Sequence, residues 1–228
     1  MEAVILAGGF GTRLSHIIQD VPKPMAPIND IPFLVYIFEY LLKYGVKKIV
    51  MATGYKTEVI EEYFGNNYKG MNIVYSVEKE PLGTGGAIKK ALDFCIDKKV
   101  FVLNGDTYFD VDLIKMKEFH LKENAKLTIG LKSMVNFERY GTVEFENNNI
   151  LKFNEKRQTD EGYINGGIYF LNKDSLNNIE EKAFSFEHDY MEKFTSKEKF
   201  KGFVSDGYFI DIGVPEDYYR ANNELKLK

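Results

Sequence analysis

Residues 3–7, Ala3-Val4-Ile5-Leu6-Ala7, form an unbroken apolar run that meets Gly8, Gly9 and Gly11 almost at once. A strand with no polar face must be covered on both sides, so the run predicts a buried parallel strand and hence a sheet with helices on both faces. The glycines after it lack Cβ atoms, so the backbone can lie against a ligand with its N–H groups outward, an arrangement suited to an anion. Arg13 follows with a permanently charged five-donor fork matched to phosphate. Open α/β sheets bind ligands outside the carboxyl ends of their strands, so the stretch reads as a phosphate cradle at such an end. It is neither of the two common phosphate loops: the third glycine of a dinucleotide fingerprint would fall at Leu14, and no G-x-x-x-x-G-K-[ST] run occurs.

The apolar periodicity then alternates. Residues 33–44 predict a helix stopped by Gly45, 47–53 a strand, 57–64 a helix, 72–77 a strand, 85–96 a helix and 100–103 a buried strand. Strand, helix, strand at this spacing implies parallel crossovers. After a helix over 112–123 come short strands at 127–131, 142–145, 150–153 and 163–171, with Asn147-Asn148-Asn149 as a turn. Short helices over 174–179 and 186–195, strands at 203–205 and 208–212, and a closing helix over 215–225 with Pro215 in its first turn complete the pattern. The expected fold is α/β: a Rossmann-like, doubly wound, mostly parallel mixed sheet in a single domain, 1–228. A nucleotide half of about 1–111 would precede a second half of about 112–228.

Composition removes several function classes. The chain has 228 residues, 28% of them charged, and a formal charge of −4. Acidic balance leaves no basic footprint for nucleic acid. No apolar run approaches the roughly 20 residues of a membrane span, and the start has no positive n-region, so no membrane partner is expected and the cytoplasm is the default compartment. Cys95 lies among Ala91, Leu92 and Phe94 with no base spaced near it, which fits a small buried thiol rather than a nucleophile. His16, His120 and His188 show no metal-ligand spacing.

Several polar residues stand where chemistry could occur. Lys23 is held between Pro22 and Pro24, whose restricted φ would aim its ammonium; the alternative is a solvated loop lysine. In the 78–87 segment, backbone N–H groups of residues 83–86 open a helix, and Glu80 is an acceptor-only carboxylate. Guanine alone presents two adjacent donors on its pairing edge, so Glu80, unless merely a surface glutamate, argues for guanine. Asp106 closes a buried strand and is either a helix cap or a metal ligand, with Asp112 the better cap. Asp211 has a comparable strand-end context. Two carboxylates plus substrate phosphates suit magnesium.

Leu6-Ala7-Gly8-Gly9-x-Gly11-Thr12-Arg13-Leu14 with Pro22-Lys23-Pro24-Met25-x-Pro27 resembles the sugar-1-phosphate nucleotidyltransferases, over nearly the whole chain. The resemblance implies transfer of a nucleoside monophosphate from a nucleoside triphosphate to a sugar 1-phosphate, releasing pyrophosphate with Mg2+. It assigns nucleotide binding to Leu6, Ala7, Gly8, Gly9, Gly11, Thr12, Glu80, Gly83 and Thr84, catalysis to Arg13, Lys23 and Asp106, and the metal to Asp106 and Asp211. Asp106, Gly141, Glu155, Lys156 and Asn165 are assigned to the sugar phosphate; without the family, the last four read as structural. Glu80-Pro81-Leu82-Gly83-Thr84-Gly85-Gly86 is similar to the base-reading loop of the mannose-type guanylyltransferases. GTP is therefore the expected donor, and a heptose 1-phosphate the best-matching acceptor ahead of mannose 1-phosphate, with a uridylyltransferase behind both. Arg157 departs from the proline common after the Glu-Lys pair. A homo-oligomer is left open. Two other classes compete: a metal-dependent glycosyltransferase using Asp110 and Asp112, and a nucleotide-holding module without turnover, which the reacting residues disfavour.

Overall fold

The computed structural model describes residues 1–9, 18 and 21–227. The apolar run becomes β1 (Glu2–Leu6), followed by β2 (Pro27–Ile28), β3 (Ile31–Pro32), α1 (Phe33–Lys43), β4 (Lys48–Thr53), α2 (Thr57–Phe64), β5 (Asn67–Tyr68), β6 (Met71–Val77), α3 (Gly83–Leu92) and β7 (Lys99–Asn104). The second half comprises β8 (Thr107–Phe109), α4 (Leu113–Lys122), β9 (Leu127–Phe137), β10 (Val143–Glu146), β11 (Asn149–Phe153), β12 (Thr159–Asn172), β13 (Phe200–Ser205), β14 (Phe209–Asp211) and α5 (Pro215–Glu224).

Ten strands make one sheet in the order β10-β11-β13-β9-β12-β7-β1-β4-β6-β5. The β7-β1-β4-β6 part is parallel, and β12 joins it antiparallel to β7. The chain winds outward from β1 through β4 to β6, then returns to β7 on the other side of β1. That reversal is the switch point where open α/β sheets bind ligands. Along β1 the burial is two-sided. Ala3 and Ile5 join a core with α1, α4 and α5, while Val4 joins another with α3 and Phe186. The doubly wound expectation is met.

Local chemistry accounts for several boundaries. The Asp112 carboxylate accepts from Ile114 N and Lys115 N at 3.1 and 3.0 Å, capping α4 and holding its own pKa below the usual range. Asn147 and Asn148 take positive φ, 48° and 65°, as a tight turn between β10 and β11 requires. Differences arise where neighbours decide. The helix expected over 85–96 starts at Gly83 and ends at Leu92, and the 186–195 helix is a π-helical segment over Phe186–Glu192. β9 and β12 are longer than expected because they pair with each other beyond the buried core. Among the described residues, no helix is long and apolar enough to cross a membrane.

Of the histidines, His188 is exposed and paired with Glu192, and His16 lies outside the described residues. His120 is wholly buried against Phe170. Asn172 Oδ1 accepts from Lys99 at 2.5 Å and lies 3.3 Å from His120 Nε2, so Nε2 carries the proton and Nδ1 accepts from the Thr128 hydroxyl at 2.9 Å. Burial lowers the imidazole pKa from 6.5 to about 4. An unfolded His120 therefore binds a proton that the folded one refuses, and its contribution, complete above pH 6.5, is lost as pH falls toward 4. The loss should reach roughly 3 kcal/mol. Urea unfolding of wild type and His120→Asn between pH 7 and 5 should show a smaller pH slope in the variant; parallel slopes would contradict this. Cys95 is likewise buried, its thiol pushed up to about 12 by desolvation, as a structural thiol should be.

Candidate active site

Three chemically active side chains, distant in sequence, meet beside the switch point. Lys23 comes from a one-turn 3₁₀ helix, Lys23–Met25, anchored by buried Pro24 and Met25, with Met25 N donating to Pro22 O at 2.7 Å. The β2–β3 hairpin follows and is tied down by Tyr218, whose hydroxyl donates to Pro27 O at 2.7 Å. Asp106 sits between β7 and β8. β14 pairs antiparallel with β8, setting Asp211 opposite Thr107, and Ile212 N donates to Asp106 O at 3.0 Å. The result is an acid pair bridged by one ammonium: Lys23 Nζ is 2.5 Å from Asp106 Oδ2 and 3.7 Å from Asp211 Oδ1. The side chains are 15%, 35% and 22% exposed for Lys23, Asp106 and Asp211, so the group is half-buried rather than freely solvated.

Burial, followed by the neighbouring Asp106 charge, raises the Asp211 pKa; Lys23 and Arg139 oppose the shift. Asp211 Oδ1 is buried without a hydrogen-bond partner, its Lys23 ammonium neighbour standing beyond hydrogen-bond distance at 3.7 Å, so acceptor capacity remains for a metal ion. Gly213 keeps the space open: a Cβ there would stand 2.8 Å from Asp211 Oδ1 and 3.3 Å from Lys23 Nζ. Two hard oxygen donors in such a gap fit a divalent ion that takes its other ligands from water and substrate. Among the described residues no group of three or more His, Cys, Asp or Glu is arranged to hold a metal, so substrate oxygens would have to complete the shell.

Two cavities adjoin the acid pair. The first, about 450 Å³, is lined by Leu6, Gly8, Gly9, Lys23, Gly83, Thr84 and Asp106. Ala7 lies just behind it, buried, with its N–H donating to Ala52 O at 2.8 Å. Gly11, Thr12 and Arg13 lie outside the described residues. The second, about 420 Å³, is lined by Gly141, Glu155, Lys156, Asn165 and Asp211. Asn165 is oriented there by two bonds, its Nδ2 donating to Tyr169 Oη at 2.8 Å and its Oδ1 accepting from Gly167 N at 3.0 Å.

Three details differ from the sequence reading. The N–H groups of Gly85 and Gly86 donate to Phe184 O at 2.9 and 3.4 Å, so they do not face a ligand. That approach is why residue 83 is glycine: its φ is +67°, and a Cβ would meet Phe184 O at 2.5 Å. Glu80 is exposed and absent from the cavity lining, whereas Glu78 lines it, half buried, accepting from Leu82 N at 3.1 Å with its pKa raised by desolvation. The Thr84 hydroxyl donates to Glu187 at 2.6 Å and accepts from Phe186 N at 2.9 Å, so it is committed within the protein.

The sequence reading missed Glu187 and Arg139. Glu187 lines both cavities, and the hydroxyls of Thr84 and Ser185 fix its Oε2. Arg139 donates to Asp217 on α5 and reaches within 3.9 Å of Asp211. Neither lies in a recognisable motif; only the Tyr140-Gly141 pair next to Arg139 hinted at its neighbourhood. By contrast Asp110 pairs with Lys43 at 3.7 Å and Asp112 caps α4, and neither lines either cavity. The D-x-D pair is accounted for without a metal.

The chain is 53% identical over 228 residues to the D-glycero-alpha-D-manno-heptose 1-phosphate guanylyltransferase of Aneurinibacillus thermoaerophilus, covering 99% of each protein. It is 54% identical over 221 residues to the protein of that name from Campylobacter jejuni, covering 96% of this chain and 97% of that one. Among solved structures, HddC from Yersinia pseudotuberculosis complexed with GMP-PN superposes with a TM-score of 0.89 at 40% identity, over 99% of both chains. The nucleotidyl transferase family model matches residues 2–227, and the chain belongs to that family.

Proposed function

We propose that the protein transfers GMP from GTP to D-glycero-α-D-manno-heptose 1-phosphate, forming GDP-heptose and pyrophosphate for surface polysaccharide. The observation that carries the reading is the Lys23–Asp106–Asp211 cluster at the junction of two cavities, each of a size to take one substrate. The names of the 53–54% identical relatives support the heptose, and the GMP-PN complex of HddC supports a guanine nucleotide.

In the mechanism, a phosphate oxygen of the sugar 1-phosphate attacks the α-phosphorus of GTP in line with departing pyrophosphate. The attacking group is already an anion, so no protein nucleophile is required and the chain contributes position and charge. Gly8 and Gly9 let the triphosphate lie against the end of β1. Lys23 donates to phosphate oxygens on which charge builds. Asp106 and Asp211 are the residues that would hold magnesium, which when bound neutralises charge on the reacting phosphates. Arg13 is the second cation, on the strength of the sequence motif. Gly141, Glu155, Lys156 and Asn165 take the sugar phosphate, dividing the chain into a nucleotide half, about 1–111, and a sugar half, about 112–228. GTP as donor assigns the reaction to the cytoplasm.

The decisive assay is pyrophosphate release over the four nucleoside triphosphates crossed with heptose, mannose and glucose 1-phosphates. GTP with heptose 1-phosphate should give the highest kcat/KM. Release of a nucleoside diphosphate from a nucleotide sugar instead would mark a glycosyltransferase. For the base, Glu80, exposed and next in sequence to the lining residue Pro81, is the proposed acceptor for the two guanine donors. Glu80→Gln should raise KM for GTP about 10-fold with kcat within about twofold, since one charge-assisted pair is weakened. If Glu78→Gln does this and Glu80→Gln does not, the base is read by Glu78.

A further inference from the structure

A third cavity, about 570 Å³, lies at the other end of the same elements. Its wall includes Lys98 and Lys99 at the start of β7 and Lys89 near the end of α3, whereas the first cavity is lined from the opposite ends of both, by Asn104, Gly83 and Thr84. Lys99 and Asn104 are five strand steps apart, so the two openings stand roughly 17 Å apart.

Donors predominate among the charged side chains of this cavity, four lysines against two carboxylates. Lys173 Nζ donates to Cys95 O at 2.5 Å, Lys89 Nζ to Ile179 O, and Lys99 Nζ to Asn172 Oδ1 at 2.5 Å. His120 occupies the same Asn172 oxygen, leaving the Asn172 amide N–H₂ as the free end of that side chain. The last carbonyls of α3 are taken by the turn that follows, with Asp93 N, Phe94 N and Cys95 N bonded to Lys90, Ala91 and Leu92 oxygens at 3.3, 3.1 and 3.0 Å. The carbonyl and amide acceptors nearest these lysines are therefore taken, while each ammonium keeps unused donors. Among the described residues none of Lys89, Lys98, Lys99 and Lys173 is ion-paired with a carboxylate. Of the two rim carboxylates, Asp174 is paired to Lys126 at 3.3 Å and only Asp93 stands free. Four cations in one concavity of a protein whose formal charge is −4 are not a consequence of composition.

We propose that this cavity is a second anion site, separate from the active site, for a small phosphorylated compound. A wall dominated by four cationic donors suits a ligand rich in charged acceptors, and phosphate oxygens meet that requirement. The volume falls within the range that encloses a phosphorylated sugar or mononucleotide and exceeds what a bare ion needs. Lys173 and Lys99 are held by their neutral acceptors, so binding need not order free side chains.

The test is amide-resolved NMR of the full chain with GTP saturating the active site. Inorganic phosphate and, separately, glucose 6-phosphate are titrated in. Saturable shifts at Lys98, Lys99, Asn172 and Lys173 are expected, weakening as salt is raised. Tighter binding of glucose 6-phosphate would identify an organic ester as the ligand, and equal binding the phosphate group alone. Lys98→Gln, whose side chain makes no hydrogen bond or ion pair among the described residues, and Lys173→Gln should each weaken binding about 10-fold while pyrophosphate release is unchanged. Absence of saturable shifts at these residues with both probes, or shifts that persist undiminished in both variants, would overturn the site.

Discussion

Lys23→Met is expected to slow pyrophosphate release about 10²- to 10³-fold, the cost of removing one donor aimed at charge that develops in the transition state. Methionine has nearly the length of lysine and can occupy the same partly buried slot, so the change isolates the ammonium. In the resting enzyme that ammonium already lies 2.5 Å from Asp106 and 3.7 Å from Asp211, and its stem is positioned by the Pro24 and Met25 anchor. It need not be recruited when substrates bind. The loss should therefore fall on kcat, with KM for the sugar phosphate changed only a few-fold, as expected for an interaction that strengthens in transit. A solvated loop lysine would give the opposite result, turnover close to wild type. Steady-state kinetics by coupled pyrophosphate detection, together with circular dichroism to check the fold, distinguishes the two.

Asp106→Asn should abolish most pyrophosphate release and leave the fold intact. The amide is isosteric, and its oxygen can still accept the Thr107 hydroxyl, which lies 3.2 Å from Asp106 Oδ1. What disappears is the negative charge on one of the two oxygen donors that would hold a divalent ion, and with it the ion pair that aims Lys23. The variant should also need a higher concentration of divalent ion for half-maximal residual activity. Asp110→Asn is the matched control. It sits four residues away, pairs with Lys43 and lines neither cavity, so it should retain wild-type turnover. Full activity in Asp106→Asn would remove that residue from the mechanism. Equal loss in both variants would point to a structural effect on the β7–β8 connection.

The roles of Asp106 and Asp112 illustrate what a linear reading can resolve. Both are carboxylates after or near a buried strand. The distance to the next helix separated them, because an N-cap must stand directly before the first turn, and Asp112 does cap α4. Distance along the chain could not separate Glu78 from Glu80. Two residues apart, they would share one face of an extended strand, but β6 ends at Val77 and residues 79–80 form a bend, so which one turns toward the cavity depends on how the loop packs. The structure points Glu78 inward because it accepts from Leu82 N four residues on. The glycines of α3 carried a similar ambiguity: an N-terminal N–H can meet a ligand or a carbonyl, and Phe184, from a distant segment, supplies the carbonyl for Gly85 and Gly86.

The pattern of residues alone determined the parallel half of the sheet, the position where the chain leaves β1 at Gly8 and Gly9, and most helix starts. These depend on the period of apolar residues and on capping chemistry within a few positions, which any chain with this order of residues must obey. Only tertiary structure decided that Lys23, Asp106 and Asp211 share one spot, that Glu187 lines both cavities, and that Arg139 braces Asp217. Those meetings depend on strand register, above all the pairing that sets Asp211 across from Thr107, and register between distant segments is selected by side-chain packing across the whole sheet.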